Sequence, residues 1–427
     1  MSTSTFNLSR FSCTTRHILT IVLPGLLYSP NVARAESTNK RMILPGARAQ
    51  ALSGAYTAVA DDASAGWYNP AGLGFLRSPG VSVSVNNYSK SHKDISGVTS
   101  DTKLAENSSS IYPGFAGSNA SLGPFTFGWS YFTLDQQNTD ESQSLNIASS
   151  ESTNAFTYDR AELTSGNLIH AGASVAFKLG QNFSLGVSEY YYRRQKQTAL
   201  KERSTFASGV FYDSFVRQST LNEGTVTIVG LMARTGTFSL GITARIPKAL
   251  SDKTELEAGS IIYTGATPEL SSSNLETRRE DELIVRTWTA GLAWVPASFI
   301  LVSLDAVHYP ATNSPWLHQG GFNTKTVTDW SAGFEILTSS LIIAGGLFTN
   351  SSLVETPTPS LVASEPARID YQGFSSSIGL RSKQSETMLI MVRQKGVGKS
   401  QMVQGDLSLQ SISIETQSFS IASRYNF

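Results

Sequence analysis

The sequence predicts an all-β, transmembrane antiparallel barrel of about 14 strands with an N-terminal helical hatch plugging its lumen. Three observations carry this. From about Gly80 onward, apolar residues alternate with small or polar ones, and clusters of Gly, Ser, Asn, Thr and Pro interrupt the pattern, as half-buried strands joined by turns do. The uncharged stretch between Arg286 and Asp305 is split by Pro296 and Ser298 into the limbs Ile284–Trp294 and Phe299–Tyr309. Each limb has the roughly 9–11 residues of a tilted membrane strand. Aromatic residues also gather at strand ends, at Tyr190-Tyr191-Tyr192 before Arg193-Arg194, at Tyr309, and at Tyr425 with Phe427, where interfacial girdles sit. A soluble sandwich would share the alternation but has no use for the other two features.

Composition agrees. Only 15% of the 427 residues are charged, against roughly 25% in ordinary soluble domains. Lys plus Arg and Asp plus Glu both number 33, so no basic excess exists to neutralise phosphates, and a nucleic-acid partner is excluded.

The chain opens with Arg10, Arg16 and His17, an apolar run Ile18–Leu27, and then Ala33-Arg34-Ala35. These are the three parts of a secretory signal peptide, so residues 1–35 are expected to be removed after Ala35. Pro24 interrupts the run well short of the ~20 residues a membrane helix needs. Removal takes Arg10, Arg16 and Arg34 and no acid, leaving a mildly acidic mature chain. It also removes Cys13, the single cysteine, which excludes disulfides, thiol catalysis and cysteine metal sites.

Residues 36–79 form the expected hatch. Between Met42 and Leu76 the alternation is lost and Ala and Gly dominate, which lets backbones approach closely, while Tyr56, Trp67, Tyr68 and Phe75 stand as isolated aromatics. The run Gly54 to Leu73, with its Ala60-Asp61-Asp62-Ala63-Ser64-Ala65 and Asn69-Pro70-Ala71-Gly72-Leu73, resembles the hatch of the FadL/TodX family of outer-membrane channels for long-chain fatty acids and aromatic hydrocarbons. The likeness runs from Gly46 to Phe75; beyond it, only architecture, length and the aromatic terminus are shared. A similar motif opens related barrels of a protein secretion system in gliding bacteria.

The barrel follows from residue 80 to 427. Its alternating runs include Val81-Val83-Val85, Phe125-Phe127-Trp129-Tyr131, Ile169–Leu179, Phe183-Leu185-Val187, Phe238–Ile246 and Trp330–Ile336. Leu179–Asn182 and Arg234–Thr237 read as short periplasmic turns. The polar stretches Glu106–Ser110, Gln136–Tyr158, Lys196–Ser204, Ser251–Glu257, Pro268–Asp281 and Ser351–Asp370 read as long extracellular loops. Pro113-Gly114 interrupts Ile111–Phe115 and is a candidate kink, because proline cannot donate to a ladder. The final strand places Phe419, Ile421, Tyr425 and Phe427 on one face and resembles the signal by which the barrel assembly machinery recognises its clients.

The resemblance implies a bacterial outer-membrane barrel of fourteen strands, its lumen closed by the hatch, that takes up a hydrophobic small molecule and releases it sideways through the wall when the hatch shifts. It implies no enzyme activity, no cofactor and no metal; its partners would be that ligand, outer-membrane lipids and the assembly machinery, and the barrel would be a monomer. Asn69 and Pro70 carry the hatch signature, since proline pushes Asn69 out of helical geometry and fixes a turn. That turn is either structural or gating. Asp61 and Asp62 either latch onto Arg or Lys of the wall or cap a helix beside Ser64. Tyr56, Trp67, Tyr68 and Phe75 either line a ligand pocket or simply pack. A secretion component and a surface adhesin are the alternatives.

Other motifs carry less. Gly398-Lys399-Ser400 resembles the end of a phosphate loop, but Arg393 stands where its first glycine belongs. His170, His308 and His318 have no metal-ligand spacing, and a strand puts His308 and Asp305 on opposite faces. No Gly-x-Ser-x-Gly elbow occurs.

Overall fold

A computed structural model describes residues 39–76, 78–97, 103–147, 156–206, 209–263, 269–278, 285–312, 324–358, 367–400 and 409–427. The expected signal peptide, Cys13 and His318 lie outside these residues. No described helix is long and apolar enough to cross a membrane; the crossing is made by strands.

Sixteen strand segments form one antiparallel sheet: β1 (Gly80–Ser96), β2 (Lys103–Tyr112), β3 (Phe115–Leu122), β4 (Phe125–Ile147), β5 (Phe156–Leu179), β6 (Phe183–Phe206), β7 (Phe211–Thr235), β8 (Phe238–Tyr263), β9 (Glu269–Arg278), β10 (Thr287–Ala297), β11 (Ile300–Tyr309), β12 (Val327–Leu337), β13 (Leu341–Asn350), β14 (Arg368–Arg381), β15 (Ser385–Ser400) and β16 (Gln410–Asn426). The sheet closes on itself, with β16 beside β1 from Gly80↔Asn426 and β8 beside β10 from Thr287↔Arg245 to Trp294↔Phe238. Two segments add no position to the circumference. β2 and β3 share one, β3 pairing with Gly80–Ser84 and β2 with Asn87–Ser96 of β1. β9 pairs only with the upper part of β8, above β10. The wall is therefore a closed barrel of 14 strands.

Period-two patterning sets which way each side chain points. In β10, Thr287, Thr289, Gly291 and Ala293 face inward while Trp288, Leu292 and Trp294 are exposed outward. Exposed apolar residues continue this belt around the wall, among them Phe127, Trp129, Leu185, Leu240, Val302 and Phe334. Such a belt suits lipid and not water. The expected turns are present; Thr235 pairs with Phe238 around Gly236, whose φ of +55° demands glycine.

Two expectations are corrected. Most of the polar stretches are strand rather than loop: Glu106–Ser110 belongs to β2, Gln136–Ile147 to β4, Lys196–Ser204 to β6, Ser251–Glu257 to β8, and Glu269–Arg278 is β9. Strands β4 to β8 run 23 to 26 residues, against 10 or 11 in β10 to β13. They continue as a tall polar palisade after leaving the lipid, because ladder hydrogen bonds need no apolar side chains. Ser351–Thr358 is irregular, as expected.

The second correction concerns the hatch, which is mostly turn. Its helical segments are only Ala47–Ala51, Ala65–Tyr68 and a 3₁₀ helix at Pro70–Phe75. Positive φ at Gly46, Ser53, Gly54 and Ala60 breaks the intervening chain. Wall side chains replace the missing helical ladder: the backbone N–H groups of Tyr56 and Thr57 both donate to Asp305 of β11, at 3.0 and 2.8 Å. Leu52, Tyr56 and Leu73 are fully buried within the barrel.

Candidate functional site

The lumen segment meets the wall along a track of inward-facing glycines. Gly186 pairs with Gly230, Gly241 with Gly291 and Gly333 with Gly346 on neighbouring strands. A Cβ at Gly186 would collide with the Pro70 backbone, one at Gly230 with the Asn69 side chain and one at Gly241 with the Thr57 carbonyl. At Gly333 it would lie 2.8 Å from the Leu52 oxygen. Glycine in a strand interior here marks close approach of a second backbone.

Asn69 sits in extended geometry between two helical turns and is completely buried. Its Nδ2 donates to the Thr57 carbonyl at 2.8 Å and to the Leu231 carbonyl of β7 at 3.2 Å, while its Oδ1 accepts from Ala71 N at 3.2 Å. One side chain thus ties two hatch turns to the wall.

Asp61 and Asp62 have different partners. Asp62 accepts from the Ser64 backbone N–H and hydroxyl, a local cap. Asp61 pairs with Arg48 within the hatch, and the same guanidinium forms a two-point pair with Glu335 of β12. The latch to the wall exists with the reverse polarity, the cation on the hatch and the carboxylate on the barrel. Burial would raise the Asp61 carboxyl, but Arg48, Arg424 and Arg234 outweigh it and hold it well below the usual carboxylate range.

Three of the four singled-out aromatics converge. Tyr56 packs edge-on against Tyr68 at 5.4 Å and donates to Asp61 at 3.0 Å. Trp67 lies against Phe132, His170 and Tyr190 at 5.0, 5.0 and 5.7 Å, with the Arg245 guanidinium 4.5 Å from its ring. Phe75 is separate, at the hatch edge between the cations Arg234 and Lys178.

Around Tyr68, buried polar atoms lack partners among the described residues: Tyr68 Oη, Arg41 Nη1, Arg245 Nε, the hydroxyls of Thr287 and Thr289, and Asp305 Oδ1. Neither arginine forms an ion pair among the described residues; Arg41 donates to the Ser53 carbonyl and the Ser331 hydroxyl, and Arg245 to the Trp67 carbonyl. Burial pushes the Tyr68 phenol above its ordinary range, so it stays a neutral donor.

The expected kink interrupts the strand at the wall, where the Gly114 carbonyl keeps one bond, accepting from Thr133 N of β4 at 3.3 Å. Pro113-Gly114 separates β2 from β3, and at the same level β1 loses register between Val85 and Tyr88 and β4 between Thr133 and Asp135. Among the described residues no ladder joins β2 to β4. Behind the break lie Phe115 and Phe132, stacked at 6.2 Å, and Phe132 touches Trp67. Packed aromatic side chains are therefore continuous from the hatch to the discontinuity. At the C-terminus Phe419, Ile421, Tyr425 and Phe427 are all exposed on the outer face, with Tyr425 edge-on to Phe427 at 5.3 Å.

Sequence reasoning missed Arg48, Glu335, the two unpaired arginines and the glycine track. The available signal was single charges and glycines at inward positions of otherwise apolar strands.

Solved structures share this fold. A crystal structure of a Pseudomonas aeruginosa FadL homologue matches with a TM-score of 0.62 at 11% identity, covering 91% of this chain and 100% of that one. This is the FadL fold. The Pseudomonas putida toluene transporter TodX matches this FadL-fold barrel at 0.60 with 14% identity, covering 91% and 100%. The Ralstonia pickettii toluene transporter TbuX matches at 0.56 with 12% identity, covering 90% and 99%. No protein-family model and no curated protein matches the sequence.

Proposed function

We propose that this barrel, exported by its signal peptide, is a bacterial outer-membrane channel that takes up hydrophobic small molecules and releases them from the lumen sideways when the hatch shifts. The observation that carries the reading is the wall break at Pro113-Gly114 with Phe115, Phe132 and Trp67 behind it. A guest leaving through the wall keeps its chain out of water, where hydration would cost ~0.8 kcal/mol per methylene. Two barrels of the same fold, TbuX and TodX, are toluene transporters, which supports it. The hatch, held by Asn69 and by the Arg48–Glu335 pair, is the element whose displacement would open the path. Arg41 and Arg245, buried near Asp305 with no ion pair among the described residues, favour a guest with a carboxylate end, as in a fatty acid, over a plain hydrocarbon.

The test is to purify the full chain in mild detergent, extract bound small molecules into organic solvent and identify them by mass spectrometry beside an Asn69→Ala/Pro70→Ala variant. Fatty acid or hydrocarbon retained by the wild type and lost from the variant supports a hatch-gated channel. A folded barrel carrying only detergent together with a co-purifying protein would replace this reading with a secretion component.

A further inference from the structure

The outer face of the barrel is not uniform around its circumference. On β15 the outward positions run Leu389, Met391, Arg393, Lys395, Val397 and Lys399, so apolar residues give way to cations within one strand. Cross-strand register places Lys90 of β1 and Arg393 of β15 in one row on either side of Gln417 of β16. This row lies one outward step above Tyr88 and Phe419, both exposed members of the apolar belt. From Tyr425 up to Glu415, β16 has about the 9–11 residues that cross the lipid. Arg393 therefore stands at the edge of the hydrocarbon. Lys395 and Lys399 stand beyond it by one and three outward steps of about 7 Å each.

Cations exceed anions on this face, with Glu415 standing cross-strand from Lys395 and shared with Arg393. Arg393 pairs with Glu415, Arg368 with Asp370 at 3.0 Å, and His92 with Asp94 at 3.3 Å. Lys90, Lys395 and Lys399 form no ion pair among the described residues. Near the same edge of β10 to β12 the outward row is Trp288, His308 and Thr328 instead.

We propose that the outer face of β15, β16 and β1, around Lys90, Lys395 and Lys399, binds phosphate groups on the headgroups of lipids surrounding the barrel. The occupant follows from position: this surface continues directly from side chains that meet acyl chains, so what stands against Lys90 and Lys395 in a membrane is a headgroup, with Lys399 above it adding to the attraction. Lysine stems reach along the apolar wall and hold their ammonium groups at that level. Anionic headgroups are drawn to clustered cations there. β1 also flanks the broken β2–β3 strand, so the bound lipid stands beside the wall break.

The experiment uses the full chain in non-ionic detergent, with a bis-phosphorylated, acylated glucosamine disaccharide lipid and its dephosphorylated form as probes, and counts retained lipid by native mass spectrometry. The Lys90→Gln/Lys395→Gln/Lys399→Gln variant is expected to retain roughly tenfold less phosphorylated lipid and as little dephosphorylated lipid as the wild type. Lys253→Gln, a change on the palisade, is expected to behave as wild type. Glu415→Gln, which frees Arg393, is expected to retain more. Heat-dependent gel migration verifies folding of each variant. Equal retention of phosphorylated lipid by wild type and triple variant, equal retention of the two lipids by the wild type, or no gain in Glu415→Gln would overturn the proposal; the last arm stands even if the triple variant does not fold.

Discussion

Arg48 of the hatch and Glu335 of β12 meet as a two-point ion pair across the lumen, with Nε donating to Oε2 at 2.8 Å and Nη2 donating to Oε1. Glu335 is 1% exposed, and Asp61 holds the same guanidinium from the hatch side. Removing one partner of a buried pair costs about 3–5 kcal/mol when the other charge is left alone, and here less, because Arg48 keeps Asp61. Glu335→Gln is therefore expected to loosen the hatch while leaving the wall ladders intact. In planar bilayers the variant should show larger and noisier ionic conductance than wild type with unchanged heat-dependent gel migration. Wild-type conductance would mean that the pair does not hold the hatch.

The same cluster sets a pH dependence. Because Arg48 and its neighbours hold the folded Asp61 carboxyl below its ordinary value of about 4, its contribution is complete above that value. It is lost only as pH falls further, through the folded titration. Wild-type conductance should stay flat from neutral pH to about 4 and rise below it. Arg48→Met removes the main attraction and leaves burial, which raises the carboxyl, so its onset should move to higher pH. A titration giving coincident onsets would count against this electrostatic account.

The wall was legible in the sequence because lipid imposes period two on every crossing strand, and Gly236 or the Pro296–Ser298 break marks where crossings end. The palisade was not, since above the lipid Lys196–Ser204 has no apolar alternation to reveal that it continues as strand. Within the hatch, Asn69-Pro70 correctly located a turn, while the Ala-rich composition suggested more helix than Ser53, Gly54 and Ala60 permit. The Arg48–Glu335 pair joins positions 287 residues apart, and neither residue's neighbours announce the other.

Gly230 tests the close approach of hatch and wall. A side chain there would collide with Asn69, yet valine suits a strand better than glycine does. Gly230→Val should therefore fold and insert as a barrel with the hatch displaced. Protease cleavage within residues 39–76 should accelerate at least several-fold, and small hydrophilic solutes should pass more freely. Unchanged cleavage would show that the backbone relaxes around the valine.

The unpaired arginines make a prediction about the guest's polar end. A hydrogen bond to a charged group is worth about 1.5–3 kcal/mol, so Arg245→Met should lose roughly ten- to a hundredfold in affinity for a long-chain carboxylate. The alcohol of equal length should bind almost as before. Calorimetry on the detergent-solubilised chain measures both, and an equal loss for the two ligands would assign Arg245 to packing on Trp67.

The break at Pro113-Gly114 separates binding from exit. Replacing it by Pro113→Thr/Gly114→Val restores a backbone donor and strand propensity at the point where β2 and β3 part. Ladder bonds across to β1 and β4 are then expected to close the discontinuity. The aromatic cluster of Trp67, Phe132 and Tyr190 is untouched by these changes. Purified variant should therefore retain as much extracted ligand as wild type, while cellular uptake of a radiolabelled hydrophobic substrate falls at least tenfold. Loss of both would place the break in the binding pocket itself. Uptake at the wild-type rate with a closed wall would direct the exit elsewhere, through the periplasmic face of the hatch beside Phe75.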